Sequence, residues 1–101
     1  KVYFDDSVGL FSNWKKRGPI YELPYRILHG RKIRNLAAAG RAISATDDMW
    51  DVTRVIPVCA VSGEAVGTAS TLARNFDDVD IFVLQNRLRQ NGVKLHSLEV
   101  L

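Results

Sequence analysis

The apolar positions of this chain fall into short runs in its first half and into helical spacing in its second. Val2-Tyr3-Phe4 suits a short strand. Asp5 and Asp6 interrupt it, and positions up to Trp14 mix aromatic and acidic side chains. Gly18-Pro19 marks a turn, and Ile20-Tyr21-Glu22-Leu23 reads as a strand that Pro24 ends or places on an edge. Tyr25 to Leu28 continues the extended path, and His29-Gly30 turns it. Leu36-Ala37-Ala38-Ala39 is a continuous apolar run between Asn35 and Gly40. That is the pattern of a buried central strand whose alanines admit close neighbours.

Asp47 to Asp51 reads as a loop or one helical turn, with an aspartate available as a cap. A long helix follows, with Pro57 in its first turn, where no N–H is required, and no further proline as far as Arg74. Ala60, Gly63, Gly67 and Ser70 or Thr71 recur at three- and four-residue steps and share one face. Val58, Val61, Ala65, Thr68 and Leu72 form a second stripe able to face the core. Asn75 to Asp80 is an acidic connection, and Asp80 is placed to cap a last helix from Ile81 to Asn91. Ile81, Leu84 and Leu88 line its buried face, Gly92 stops it, and Val93 to His96 is a short extended tail. The fold class expected is mixed α/β or α+β: a few short strands, a long helix and a C-terminal helix.

Composition narrows the picture. The chain has 101 residues, 47% hydrophobic and 25% charged, which is one globular domain at most with a small core. It opens at Lys1, which fits a processed or excised piece. No apolar run approaches the roughly 18 residues that span a bilayer, and Asp5 and Asp6 break any signal-like core. Cys59 is the sole cysteine, so the chain forms no internal disulfide, and a reducing cytoplasm is the expected location. The net charge of +3 is uneven: residues 1–34 carry +5 and residues 35–101 carry −2. The basic groups cluster at Lys15-Lys16-Arg17 and at Arg31-Lys32-Ile33-Arg34. They lack a nucleic-acid motif and read as solvated turns, so neither nucleic acid nor membrane is expected as a partner.

Three features point to chemistry. Gly40 follows an apolar run, where glycine permits a sharp turn with positive φ, and Arg41 is free to meet a phosphate or a carboxylate. The helix starting near Pro57 presents unpaired N–H groups and a positive dipole end. Each of its glycines costs about 1 kcal/mol relative to alanine, so close packing against a strand or a flat cofactor must compensate. Arg54 sits just before that positive end and calls for an anion, either a ligand or one of Asp47, Asp48 and Asp51. Cys59 reads as a packed thiol, His29 and His96 lack zinc-site spacing, and Ser44 and Ser62 lack a nucleophile motif. No Gly-x-Gly-x-x-Gly and no phosphate-binding lysine loop occurs.

Three segments in order carry a resemblance: Tyr21-Glu22-Leu23-Pro24-Tyr25-Arg26-Ile27-Leu28, then Asn35 to Ser44, then Arg54 to Ala69. Together they resemble the C-terminal part of bacterial FAD-dependent oxidoreductases, within the glutathione-reductase-like flavoproteins that carry two dinucleotide folds. Leu84 to Val93 looks like that family's end. The resemblance covers nearly the whole chain and is most secure over residues 20–93.

What the resemblance implies is a segment, residues 1–101, that completes an FAD-binding domain. The N-terminal part of such a protein supplies the glycine-rich pyrophosphate turn. The C-terminal part supplies a strand ending in Gly-Arg and a helix aimed at the flavin. Carried over, Gly40 and Arg41 lie beside the ribityl–pyrophosphate portion of FAD, and Ser44 lies in the loop near the flavin. Arg54, Ile56 and Pro57 lie at the helix start beneath the isoalloxazine, and Gly63 lets that helix pack closely. Tyr25 and Arg26 are candidates for the substrate side. The complete protein would transfer a hydride to or from a small organic substrate. The segment alone would be inactive, would need the N-terminal part as partner, and would self-associate as a dimer or by exchanging segments. The competing reading is a small, non-enzymatic binding or interaction module.

Overall fold

The computed structural model describes residues 3–12, 19–30, 32–43, 45 and 56–100. Two strands, β1 (Ser7–Ser12) and β2 (Ile20–Pro24), pair antiparallel with Phe11 opposite Tyr21 and Ser7 opposite Pro24. The rings of Phe11 and Tyr21 lie 5.4 Å apart, a cross-strand pair of the kind that stabilises a sheet. Between Ser7 and Leu10 the register shifts, and the Ser7 hydroxyl organises the irregularity. It accepts from the Gly9 N–H and donates to the Leu95 carbonyl.

The expected strand at Val2–Phe4 is corrected: Tyr3 and Phe4 lie outside any strand, and Val2 is outside the described residues. The Phe4 carbonyl instead accepts from Ser7 N at 3.1 Å, which closes a turn over Asp5 and Asp6 and starts the strand at Ser7. Ile20 to Pro24 is a strand as expected. Tyr25 to Leu28 is not extended. Tyr25–Ile27 forms a 3-10 turn, in which Leu28 N reaches the Tyr25 carbonyl at 3.0 Å and Arg26 N reaches the Asp6 carboxylate at 2.9 Å. Local acceptors win over strand continuation here.

The strand expected at Leu36–Ala39 is also corrected. One bridge joins Ala37 to His29, Ala38 N donates to the Leu28 carbonyl, and Leu36 is 58% exposed. Among the described residues no neighbouring strand lies beside this run to bury it.

Helix α1 (Ile56–Ala69) and helix α2 (Ile81–Gln90) pack against β1 and against each other. In α1 the core side is Val58, Ser62, Ala65 and Ala69, with Val61 partly buried, and Leu72 in the turn beyond it is partly buried too, close to the expected stripe. In α2, Leu84 and Leu88 are fully buried, worth roughly 2 kcal/mol each in apolar burial. Asp80 caps α2 by accepting from Phe82 N at 2.9 Å. Gly92, with φ 91°, ends it: Gly92 N reaches the Arg89 carbonyl and Val93 N reaches the Leu88 carbonyl. Both ends stand where the sequence puts them.

Two long-range polar joints close the structure. Gln85 donates to the carbonyls of Asp5 and Ser7 at 2.8 and 3.0 Å. His96 Nδ1 lies 3.1 Å from Glu22 Oε1, off the hydrogen-bond direction, with both side chains nearly buried and Tyr3 stacked on the imidazole at 4.3 Å. Among the described residues no helix is long and apolar enough to cross a membrane.

Candidate functional site

Gly40 adopts φ 66°, the left-handed conformation its position in the sequence called for. It opens a 3-10 turn, Gly40–Ala42, that lies against α1. Two contacts make the junction. Gly40 N donates to Ser62 Oγ at 2.7 Å, and a Cβ placed on Gly40 would sit 3.9 Å from the Cys59 side chain. Ser62 in turn donates to the Cys59 carbonyl at 3.1 Å. The turn and the first half of the helix therefore form one unit.

Ile56, Ala60, Gly63 and Gly67 recur at helical spacing on the outer side of α1. All four are exposed, Ile56 to 83%. A Cβ added at Gly63 or Gly67 meets nothing within 4 Å. Among the described residues the glycines therefore meet no packing partner, and the helix packs through its opposite side. The ridge they leave bare starts at the exposed helix entrance, Ile56 and Pro57, and runs beside the Gly40 turn. Arg41 is exposed, and among the described residues no carboxylate pairs with it.

Of the site residues expected from the sequence, the structure brings Gly40 and Arg41 to one flank of α1. It places Ile56, Pro57 and Gly63 on that helix, exposed. Ser44 and Arg54 lie outside the described residues, as do Asp47, Asp48 and Asp51. Tyr25 points inward: it is 3% exposed, and its hydroxyl donates to the Phe76 carbonyl at 2.7 Å. Burial, with the Asp77 charge adding, pushes that phenol up to about 12. Arg26 is held by Asp6 at 2.8 Å and lies over the Phe4 ring. Both are committed to the scaffold.

Arg34 is likewise held, by Asp77 and Asp78 at 2.9 and 2.7 Å, while its carbonyl accepts from Phe76 N. This joint ties the segment before Leu36 to the connection before α2. Ser62 is the residue that sequence reasoning missed. A lone serine between Val61 and Gly63 gives no sign of a tertiary partner 22 positions away. Among the described residues no group of three or more His, Cys, Asp or Glu side chains is placed to hold a metal ion.

The family model described as FAD dependent oxidoreductase matches residues 7–88, which takes in both strands, the Gly40 turn, α1 and most of α2. The chain belongs to the FAD-dependent oxidoreductase family. No curated protein and no solved structure matches it.

The residues present fit the cofactor that the family implies. A left-handed glycine turn, an arginine with no carboxylate partner among the described residues, and a helix flank that carries Ala60, Gly63 and Gly67 leave room for a large planar, phosphorylated group at close range. When bound, FAD would supply the redox chemistry.

Proposed function

We propose that this segment closes the FAD domain of a bacterial flavoprotein of the glutathione-reductase-like type. The Gly40 turn and the outer side of α1 form its cofactor-facing wall. In the complete cytoplasmic enzyme, hydride passes to or from a small organic substrate. Gly40 and Arg41 stand beside the ribityl–pyrophosphate portion. Ser44 serves near the flavin, Arg54, Ile56 and Pro57 serve beneath the ring system, and Gly63 gives the helix close approach. The positive end of α1 favours negative charge placed on its axis, as on a reduced flavin.

The observation that carries this reading is the bare ridge of Ile56, Ala60, Gly63 and Gly67 beside a turn bonded to the same helix. Two helix glycines cost about 2 kcal/mol relative to alanine, and no contact among the described residues recovers it. A ligand or the remainder of the domain does. Leu36, Phe82 and Leu98, exposed to 58%, 72% and 76%, are further apolar surface for that remainder to cover. Left uncovered, these surfaces make the segment self-associate.

The test is flavin content. The complete reading frame, with a strand and Gly-x-Gly-x-x-Gly upstream of Lys1, should purify with FAD bound. Residues 1–101 alone should be colourless and should sediment above the monomer mass. A gene without such an upstream partner, or a cooperative, colourless monomer from residues 1–101, favours the interaction-module reading. Stoichiometric FAD on residues 1–101 alone contradicts the division of the site between two segments.

A further inference from the structure

We infer that Ser62 is a positioning residue for the cofactor-facing turn: its hydroxyl holds Gly40 in place and turns the Gly40 N–H into the protein. The inference rests on the reading of the Gly40 turn as part of an FAD site.

Ser62 is fully buried, and both hydrogen-bonding capacities of its hydroxyl are used in sequence. The proton goes to the Cys59 carbonyl one turn back, which sets the side-chain rotamer. A lone pair is thereby aimed outward, where the Gly40 N–H meets it at 2.7 Å. Among the described residues, few other hydrogen bonds hold the turn. Its internal bond, Ala42 N to the Ala39 carbonyl, is long at 3.4 Å, and Ala39 before it is extended. A left-handed glycine with no such anchor samples many conformations, because glycine meets little steric restriction on either side of φ 0°.

One consequence is specific. Glycine turns commonly bind phosphates through the glycine amide. Here that amide is already taken. The donors this turn offers an anion belong to Arg41, and Ser62 acts on the cofactor only by fixing where Arg41 stands.

The experiment uses the complete flavoprotein. FAD dissociation constants are measured by flavin fluorescence, alongside hydrogen exchange at the Gly40 amide in apoprotein. In the parent protein the Gly40 amide should be protected. Ser62→Ala should remove that protection and weaken FAD binding about tenfold, the scale of one lost hydrogen bond. Val58→Ala, a core change on the same helix, should lower the melting temperature without moving FAD affinity. Arg41→Gln, on an exposed side chain, tests the anion contact without risk to the fold and should weaken FAD about tenfold with a shallower salt dependence.

Fast exchange at Gly40 in the parent protein overturns the inference. So does unchanged FAD affinity in Ser62→Ala, or an equal loss in Val58→Ala. If Ser62→Ala does not fold, the parent exchange rate and the Arg41→Gln titration still decide. Arg41→Gln weakening FAD while Ser62→Ala leaves it unchanged keeps the FAD site and rejects Ser62. A complete protein that takes up no FAD rejects the site itself.

Discussion

Val61 of α1 occupies the space that a side chain at Gly9 of β1 would need. The strand and the helix come together there because Gly9, in the irregular stretch of β1, carries no Cβ. Val61 is β-branched and has little freedom to rotate away within a helix.

Gly9→Ala should therefore destabilise the fold by roughly 1–3 kcal/mol, the usual range for overpacking. Adding Val61→Ala should recover part of that loss, although it costs stability by itself. A double-mutant cycle by denaturant unfolding measures the coupling. Additive losses would mean that the two residues do not meet.

Among the described residues, Gln85 is the one side chain that donates to the Asp5 and Ser7 carbonyls. Gln85→Leu should cost about 1–3 kcal/mol, since it strands the buried Ser7 carbonyl and the part-buried Asp5 carbonyl. Gln85→Glu should cost more, because it faces a buried carboxylate toward two carbonyl oxygens. The ordering of the two unfolding midpoints checks the claim.

Tyr25 predicts a loss of stability in base. Its folded phenol is raised from 10.0 to about 12 by burial first and by Asp77 second. A raised folded value means the contribution is complete below pH 10 and is lost as pH rises through about 12. A spectrophotometric titration should show one tyrosine ionising late, together with unfolding. In Tyr25→Phe that late step should vanish, and the variant should start less stable because the Phe76 carbonyl loses its donor.

Glu99 predicts the opposite dependence at the other end of the scale. Burial alone would raise its carboxyl. Hydrogen bonds from Arg89, Leu95 N and His96 N, with the Arg89 charge, pull it below the ordinary value of 4.5 instead. A lowered folded value means the contribution is present above pH 4.5 and is lost as pH falls through the folded value. The gain is small, as for other partly exposed pairs. Amide exchange over Val93–Val100 should quicken in acid, and Glu99→Gln should quicken it already at neutral pH and flatten the acid response.

Local rules carried far along this chain. The second strand, both helices, the Asp80 cap and the Gly92 stop follow from residues within a few positions of each element, and the structure has them there. Gly40 belongs with them, since a left-handed turn needs only the right residue at the right place. The order of Tyr21–Leu28, Asn35–Ser44 and Arg54–Ala69 is likewise enough to indicate an FAD-dependent oxidoreductase, and the family match agrees.

Tertiary contacts decided the rest. Leu36 to Ala39 has the composition of a buried strand, yet a strand needs a neighbour to pair with, and among the described residues one bridge lies beside this run. Ser7 to Ser12 became a strand without clean alternation, because its bulge is held by a serine that reaches Leu95 across the fold. The glycines of α1 announce close packing but not its partner, and only the structure shows that no described residue covers their side of the helix. Ser62 was unremarkable until Gly40 was placed against it. Each of these depends on residues far apart in sequence meeting in space, which periodicity and spacing along one chain do not encode.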